Sequence, residues 1–213
     1  MGNRAVITTK ENFENNGVGI YLHWNGGYDS VSAFLKYCEL KGYRSPSHDN
    51  YGWARLCQVI GNFFGGSTSI GIDVVSKLDC DNYDNGVYII EGWKIIDRKY
   101  FEGHEQMNYE LEEMLLEIDE AMPEKEQIGE YLKAKEIPTS EVKVGDTVLI
   151  MDYNGQVLKQ HVMGFGKDEF RNGMNVNGKP YVDLYGDYFG YDKNINNYIR
   201  TETVRVAEVD TEE

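Results

Sequence analysis

Two short β-rich runs, residues 5–9 and 18–24, come before two consecutive apolar helical segments, and no strand-like run falls between those helices. This order constrains the fold, because a doubly wound sheet needs strands and helices in regular alternation. The polar stretch 11–17 between the first two runs reads as the turn of a hairpin. After the helices come an extended run at 70–75, an acidic, asparagine-rich loop at 79–85 and two short strands at 87–90 and 93–96. A small α+β domain over residues 1–136 is the architecture this order predicts.

The helices carry their own punctuation. Asp29 or Ser30 can cap the first, whose inward face is Val31, Phe34, Leu35 and Cys38, and Gly42 supplies its stop. The second, 51–64, is apolar almost all round (Trp53, Leu56, Cys57, Val59, Ile60 and Phe63), so it is expected to be the central buried helix. With 41% hydrophobic and 13% aromatic residues there is enough apolar material for a core, despite a net charge of −15.

That charge is not evenly spread. Residues 102–136 hold twelve acids and three bases, a net of −9, and the other 178 residues share −6. Within this stretch Met107, Leu111, Met114, Leu115, Ile118 and Met122 recur at helical spacing, opposite Glu110, Glu112, Glu113, Glu117, Asp119 and Glu120. The spacing predicts an acidic amphipathic helix over 106–122, ended by Pro123, with a second short helix over 125–135. Such a face is either a solvated surface that keeps the chain soluble or an anionic patch that meets a basic protein.

From Ile137 the pattern changes to short strands. The run Val142-Lys143-Val144-Gly145-Asp146-Thr147-Val148-Leu149-Ile150 leads through Asn154-Gly155 to a return strand at 157–162, with further strands at 181–185, 197–199 and 203–209. The V-x-V-G-D-x-V-L-I run resembles the opening strand of SH3-like small barrels, which implies an SH3-like β-barrel over 137–213. Tyr181, Tyr185, Tyr188, Tyr191 and Tyr198 alternate here with acids. Tyr185, Tyr188 and Tyr191 are therefore secondary candidates for protein contact, half-buried strand positions being the other reading.

Few motifs carry chemistry. Cys38, Cys57 and Cys80 lack C-x-x-C spacing and read as free thiols, two of them inside apolar helices. No zinc-protease or EF-hand pattern occurs, and the loop 79–84 lacks the closing glutamate of a calcium site, so neither metal nor cofactor is expected. His48, His104 and His161 are scattered, and His23 has no readable nucleophile or carboxylate partner, which leaves a hydrolase around it unsupported. No apolar run reaches the ~18 residues of a membrane span, Gly2 lacks the Ser or Thr at position 6 of a myristoylation signal, and the N-terminus lacks a signal-peptide core. The expectation is a cytoplasmic protein without membrane contact. An acidic chain with no basic patch is also not expected to bind nucleic acid directly.

The segment His23-Trp24-Asn25-Gly26-Gly27-Tyr28-Asp29-Ser30 resembles the pyrophosphate loop of the PP-loop ATP pyrophosphatases, Ser-Gly-Gly-x-Asp-Ser, with Asn25 in place of the leading serine. That likeness implies nucleotide binding through Asn25, Gly26 and Gly27, with His23, Trp24, Asp29 and Ser30 around them. The competing reading is a plain strand-to-helix turn, since the loop holds no lysine or arginine.

Asn3 to Thr8 followed by Gly19-Ile20-Tyr21-Leu22-His23-Trp24-Asn25-Gly26-Gly27 resembles a group of phage and mobile-element proteins that open with a short strand, I-Y-x-H-W-[DN]-G and a helix. The resemblance spans about 40 residues and implies a bacterial-host setting. Small acidic proteins in that setting look like counter-defence factors, anti-CRISPR-like or antirestriction-like. The sequence therefore points to a non-enzymatic acidic interaction protein. Its expected partner is a basic nucleic-acid-handling protein, such as a nuclease of a defence system. A nucleotide-binding or nucleotide-sequestering module is the alternative.

Overall fold

The structure, a computed structural model, describes residues 2–47, 50–66, 69–105, 107–151, 155–167, 170–171, 174–175, 180–185, 198–199 and 203–207, with backbone alone at 163–199. The fold is mixed α+β, with helices and two large sheets. It divides into two compact units, residues 1–127 and 128–213. The first break comes nine residues before the expected 136/137 boundary, because the short helix and strand over 129–138 belong to the second unit's set of elements.

The first unit opens with β1 (Ala5–Thr9), α1 (Lys10–Glu14) and β2 (Val18–Leu22). The expected hairpin turn thus contains a helical turn, started by Thr9, whose hydroxyl accepts from Asn12 N at 3.3 Å. Next come α2 (Tyr28–Leu40), α3 (Asn50–Phe63), β3 (Ile70–Val74), β4 (Val87–Glu91), β5 (Lys94–Lys99) and α4 (Leu111–Glu120). The strands form one sheet in the order β3-β2-β1-β4-β5. Its β1–β4 pair is parallel, with Val6 opposite Val87 and Thr8 opposite Ile89, and every other pair is antiparallel.

β1 and β4 lie at the centre, which is why Ala5–Thr9 and residues 87–90 are buried along their whole length. One side of the sheet carries a small cluster of Val6, Val87 and Ile89 with Phe13, Tyr21, Leu78 and Cys80 packed against it. Helices α2, α3 and α4 pack against one another and contribute Phe34, Leu56, Ile60, Met114 and Ile118 to the core. The inward face expected for α2 is buried as read, and its end at Gly42, with φ +65°, closes with Tyr43 N donating to Cys38 O at 3.1 Å. α3 departs from expectation. Tyr51, Ala54, Arg55 and Gln58 are exposed, so it is a one-sided helix and not a central one.

The 106–122 helix is shorter than its apolar spacing predicts. It runs from Leu111 to Glu120, leaving Met107 outside and exposed and Leu111 half exposed at its first turn. Between its end and the second unit lies only a single 3-10 turn, Glu124–Glu126.

The second unit contains α5 (Gly129–Lys133), β6 (Lys135–Pro138), β7 (Thr147–Met151), β8 (Val157–Lys167), β9 (Phe170–Arg171), β10 (Met174–Asn175), β11 (Pro180–Tyr185), β12 (Tyr198–Ile199) and β13 (Thr203–Val206). Six strands pair antiparallel in the order β12-β11-β8-β7-β13-β6. Among the described residues β6 and β12 do not pair, so this sheet is open where a closed barrel was expected. Its core is Val142, Val148, Val162 and Val204, flanked by Ile137, Ile150 and Val206. The strand expected from Val142 begins only at Thr147. The preceding Lys143–Asp146 turn is held by Lys143 N donating to Asp146 Oδ2 at 2.7 Å, with Gly145 at φ +94°.

Candidate functional site

The two sets of residues singled out in the sequence, the 23–30 turn and the acids after it, meet in the first unit. β2 ends at Leu22, and His23 N still donates to Ser69 O at 2.9 Å. Asn25 then takes a left-handed conformation, φ +54°, turning the chain toward α2. Gly26 N donates to Asn3 O at 2.8 Å and Gly26 O accepts from the buried Tyr88 hydroxyl at 3.0 Å. A Cβ on Gly26 would stand 2.6 Å from Asn3 O and 2.8 Å from Ala5 Cβ, so only glycine lets the turn lie this close to the start of β1. Gly27, not Asp29 or Ser30, is the residue that precedes the first turn of α2.

Asp29 has a different task. It is buried in the first turn, where its Oδ1 accepts from Ser30 N at 2.6 Å and its Oδ2 accepts from Asn108 N at 2.5 Å and Tyr109 N at 3.0 Å. Three backbone donors and the positive end of the helix hold a carboxylate here, with no ion-pair partner among the described residues. Asn25 Nδ2 adds a 3.4 Å bond to the Tyr109 hydroxyl. Asp29 therefore latches the segment leading into α4 onto the start of α2, 79 residues away in the chain. No local signal marks Asn108 or Tyr109, because what defines them is a backbone contact to a distant side chain.

This geometry gives the nucleotide reading little. The Gly26 amide already donates to Asn3 O and the Ser30 amide to Asp29 Oδ1, and a carboxylate occupies the helix start where a phosphate would bind. His23 is exposed, 3.2 Å from the Tyr21 hydroxyl through Nδ1 and edge-on to Trp24 with ring centroids 5.0 Å apart. Among the described residues no nucleophile is bonded to it. A cleft of about 660 Å³ lined by Lys10, Glu11, Asn50, Trp53 and Glu91 lies elsewhere in this unit and includes none of residues 23–30.

The acids divide. Glu110, which precedes α4, and Glu112, Glu113, Glu117 and Glu120 on it are exposed. Among the described residues none of these five carboxylates has an ion-pair partner. Some other acids do pair, Asp84 with Arg4 at 2.6 Å, Glu105 with Arg98 at 2.6 Å and Glu39 with Lys36 at 2.7 Å, while the exposed Glu11, Glu14, Asp81 and Glu91 have no ion-pair partner among the described residues. Asp119 leaves the expected face altogether. It is 3% exposed and accepts from the Tyr37 hydroxyl at 2.6 Å, tying α4 to α2. Burial, followed by that bond, pushes the Tyr37 phenol well above its ordinary pKa. Asp119 lies between Ile118 and Glu120 at the margin of the apolar stripe, one turn from Leu115, where a rotation of ~100°, one residue's step, decides which side it joins.

Tyr188 and Tyr191 lie outside the described residues, and Tyr185 is described by its backbone alone, at the end of β11. The cysteines are free, Cys38 buried and Cys57 and Cys80 half-buried. Among the described residues no group of His, Cys, Asp or Glu could hold a metal ion, and no helix is long and apolar enough to cross a membrane. Comparison of the chain with protein families, with curated proteins and with solved structures finds no match.

Proposed function

We propose that this is a non-enzymatic interaction protein whose acidic surface along α4 substitutes for phosphates on a basic, nucleic-acid-handling partner. The observation that carries this reading is the row of exposed carboxylates, without ion-pair partners among the described residues, at Glu110 just before α4 and at Glu112, Glu113, Glu117 and Glu120 on it, the helix being anchored by its opposite side. Unpaired like charges on one face repel one another, at a cost of a few tenths of a kcal/mol per pair. A basic partner relieves that repulsion and gains complementarity that speeds encounter and weakens with salt. The resemblance of the N-terminal segment to phage and mobile-element proteins supports a narrower form. In it the protein is an anti-CRISPR-like or antirestriction-like counter-defence factor that occupies the nucleic-acid channel of an immune nuclease. The SH3-like likeness of residues 137–213 belongs to the same proposal and rests on the Val142–Ile150 run.

The test is gel filtration with purified DNA-handling immune nucleases, followed by nuclease assays. Co-elution is expected with at least one, weakening as salt rises. Reversing Glu112, Glu113, Glu117 and Glu120 to lysine should lower affinity about a hundredfold or more. Unchanged binding by that variant would refute phosphate mimicry.

A further inference from the structure

The 24–28 turn and the chain entering α4 together expose four large apolar side chains: Trp24 at 45%, Tyr28 at 42%, Met107 at 61% and Leu111 at 44%. Trp24 and Tyr28 bracket the turn. Met107 and Leu111 bracket the Asn108–Tyr109 pair that Asp29 holds against it. Other large exposed apolar residues, such as Ile72 on β3 and Ile96 on β5, stand singly on edge strands, as is ordinary for a protein surface.

Two properties set this knuckle apart. The first is rigidity, because Gly26 is bonded through both its N–H and its C=O and Asp29 clamps the second strand of chain. The aromatic rings therefore stand on fixed backbone and lose little freedom on binding. The second is its surroundings, since Glu110 and Glu112 flank Leu111 and have no ion-pair partner among the described residues.

A side chain that suits apolar rings and carboxylates together is arginine. Its planar guanidinium is weakly hydrated, stacks on aromatic faces and donates to carboxylates at its edge, whereas a lysine ammonium is a hydrated point charge. The chain uses the same chemistry internally. Arg98 lies 4.4 Å over the Tyr88 ring, Arg44 4.9 Å over Tyr51 and Arg55 4.9 Å over Tyr43. Among the described residues Trp24 and Tyr28 have no such guanidinium. We infer that the Trp24–Tyr28 knuckle is the anchor of the partner interface and receives arginine side chains of a basic protein surface, with the α4 acids as its electrostatic surround. This rests on the interaction reading above and adds the residue type that the partner presents.

The test uses the full-length protein with two blocked peptides, tetra-arginine and tetra-lysine, followed by the indole N–H signals of its three tryptophans in NMR. Tetra-arginine is expected to bind at least about threefold more tightly than tetra-lysine and to move the Trp24 signal, assigned by its loss in Trp24→Leu. That variant keeps an apolar side chain, and the unchanged Trp53 and Trp93 signals report an intact fold. It is expected to lose the preference for arginine while keeping the salt dependence. Equal binding of the two peptides with an unmoved Trp24 signal would overturn the anchor and leave the acidic face standing. Arginine-selective binding at Trp24 that survives changing Glu110, Glu112, Glu113 and Glu117 to glutamine would uphold the anchor and remove the acidic surround. Binding of neither peptide would overturn both.

Discussion

Tyr37 and Asp119 show how one residue can change its apparent role between chain and fold. Asp119 belongs to the acid-rich stretch by sequence, but its carboxylate is part of the interior, receiving the Tyr37 hydroxyl at 2.6 Å. Hydrogen bonds to a charged group contribute more than neutral ones, and leaving a buried carboxylate short of a donor is costly. Tyr37→Phe should therefore lower stability by about 1.5–3 kcal/mol, read from the urea midpoint with an unchanged slope. Asp119→Asn retains an acceptor and should cost less. The same scale explains what the sequence hid about Asp29. A cap residue and a latch residue look alike in a Gly-Gly-x-Asp-Ser string, and the difference is made by two amides 79 and 80 residues away.

Elements were legible where apolar periodicity was strong and punctuated. α2 has both, with Val31, Phe34, Leu35 and Cys38 on one face and Gly42 at its end, and it folds as its sequence reads. β4 and β5 meet through the two-residue loop at Gly92, whose φ of +61° suits the glycine there. Legibility failed at margins. Met107 continues the heptad-like spacing of α4, but the Asp29 latch holds the preceding chain in an extended path, so helix begins only at Leu111. Composition misled in α3, whose run of apolar residues suggested burial on all sides although Arg55, Gln58 and Tyr51 face solvent. For α4 the two faces should respond oppositely to substitution. Met114→Ala empties a fully buried site and should cost about 2–5 kcal/mol. Glu113→Gln should change thermal stability by no more than about 0.5 kcal/mol, and relief of repulsion makes a small gain the expected sign.

At the scale of the molecule, the first unit holds a set of buried titratable groups. Among the described residues, the groups whose pKa burial raises, Tyr37, Cys38, Tyr43, Cys57 and Tyr88 among them, belong to this unit. Burial pushes the Cys57 thiol up to about 11 and the Tyr43 phenol up to about 12. Their unfolded values lie near ~8.5 and ~10, so above those values the folded unit keeps protons that the unfolded chain releases. Stability is then complete below the unfolded values and falls as pH rises toward the folded ones. Melting temperatures measured from pH 8 to 11 should decline steadily, and Cys57→Ala should flatten the early part of the decline. The net charge is likewise weighted toward one stretch. Residues 102–136, which include α4, hold −9 of the −15.

The parallel pairing of β1 with β4 also bears on how the chain is made. Val6 finds its parallel partner at Val87, so one side of the central strand of the first sheet stays unmatched until residues near 90 have left the ribosome. β1 and β2 emerge early and can pair as neighbours, but the side of β1 that β4 will cover is an open strand edge throughout that interval. Synthesis that stalls before residue 87 would therefore leave a sticky nascent chain, and slow or crowded expression should yield aggregates rich in the N-terminal strands.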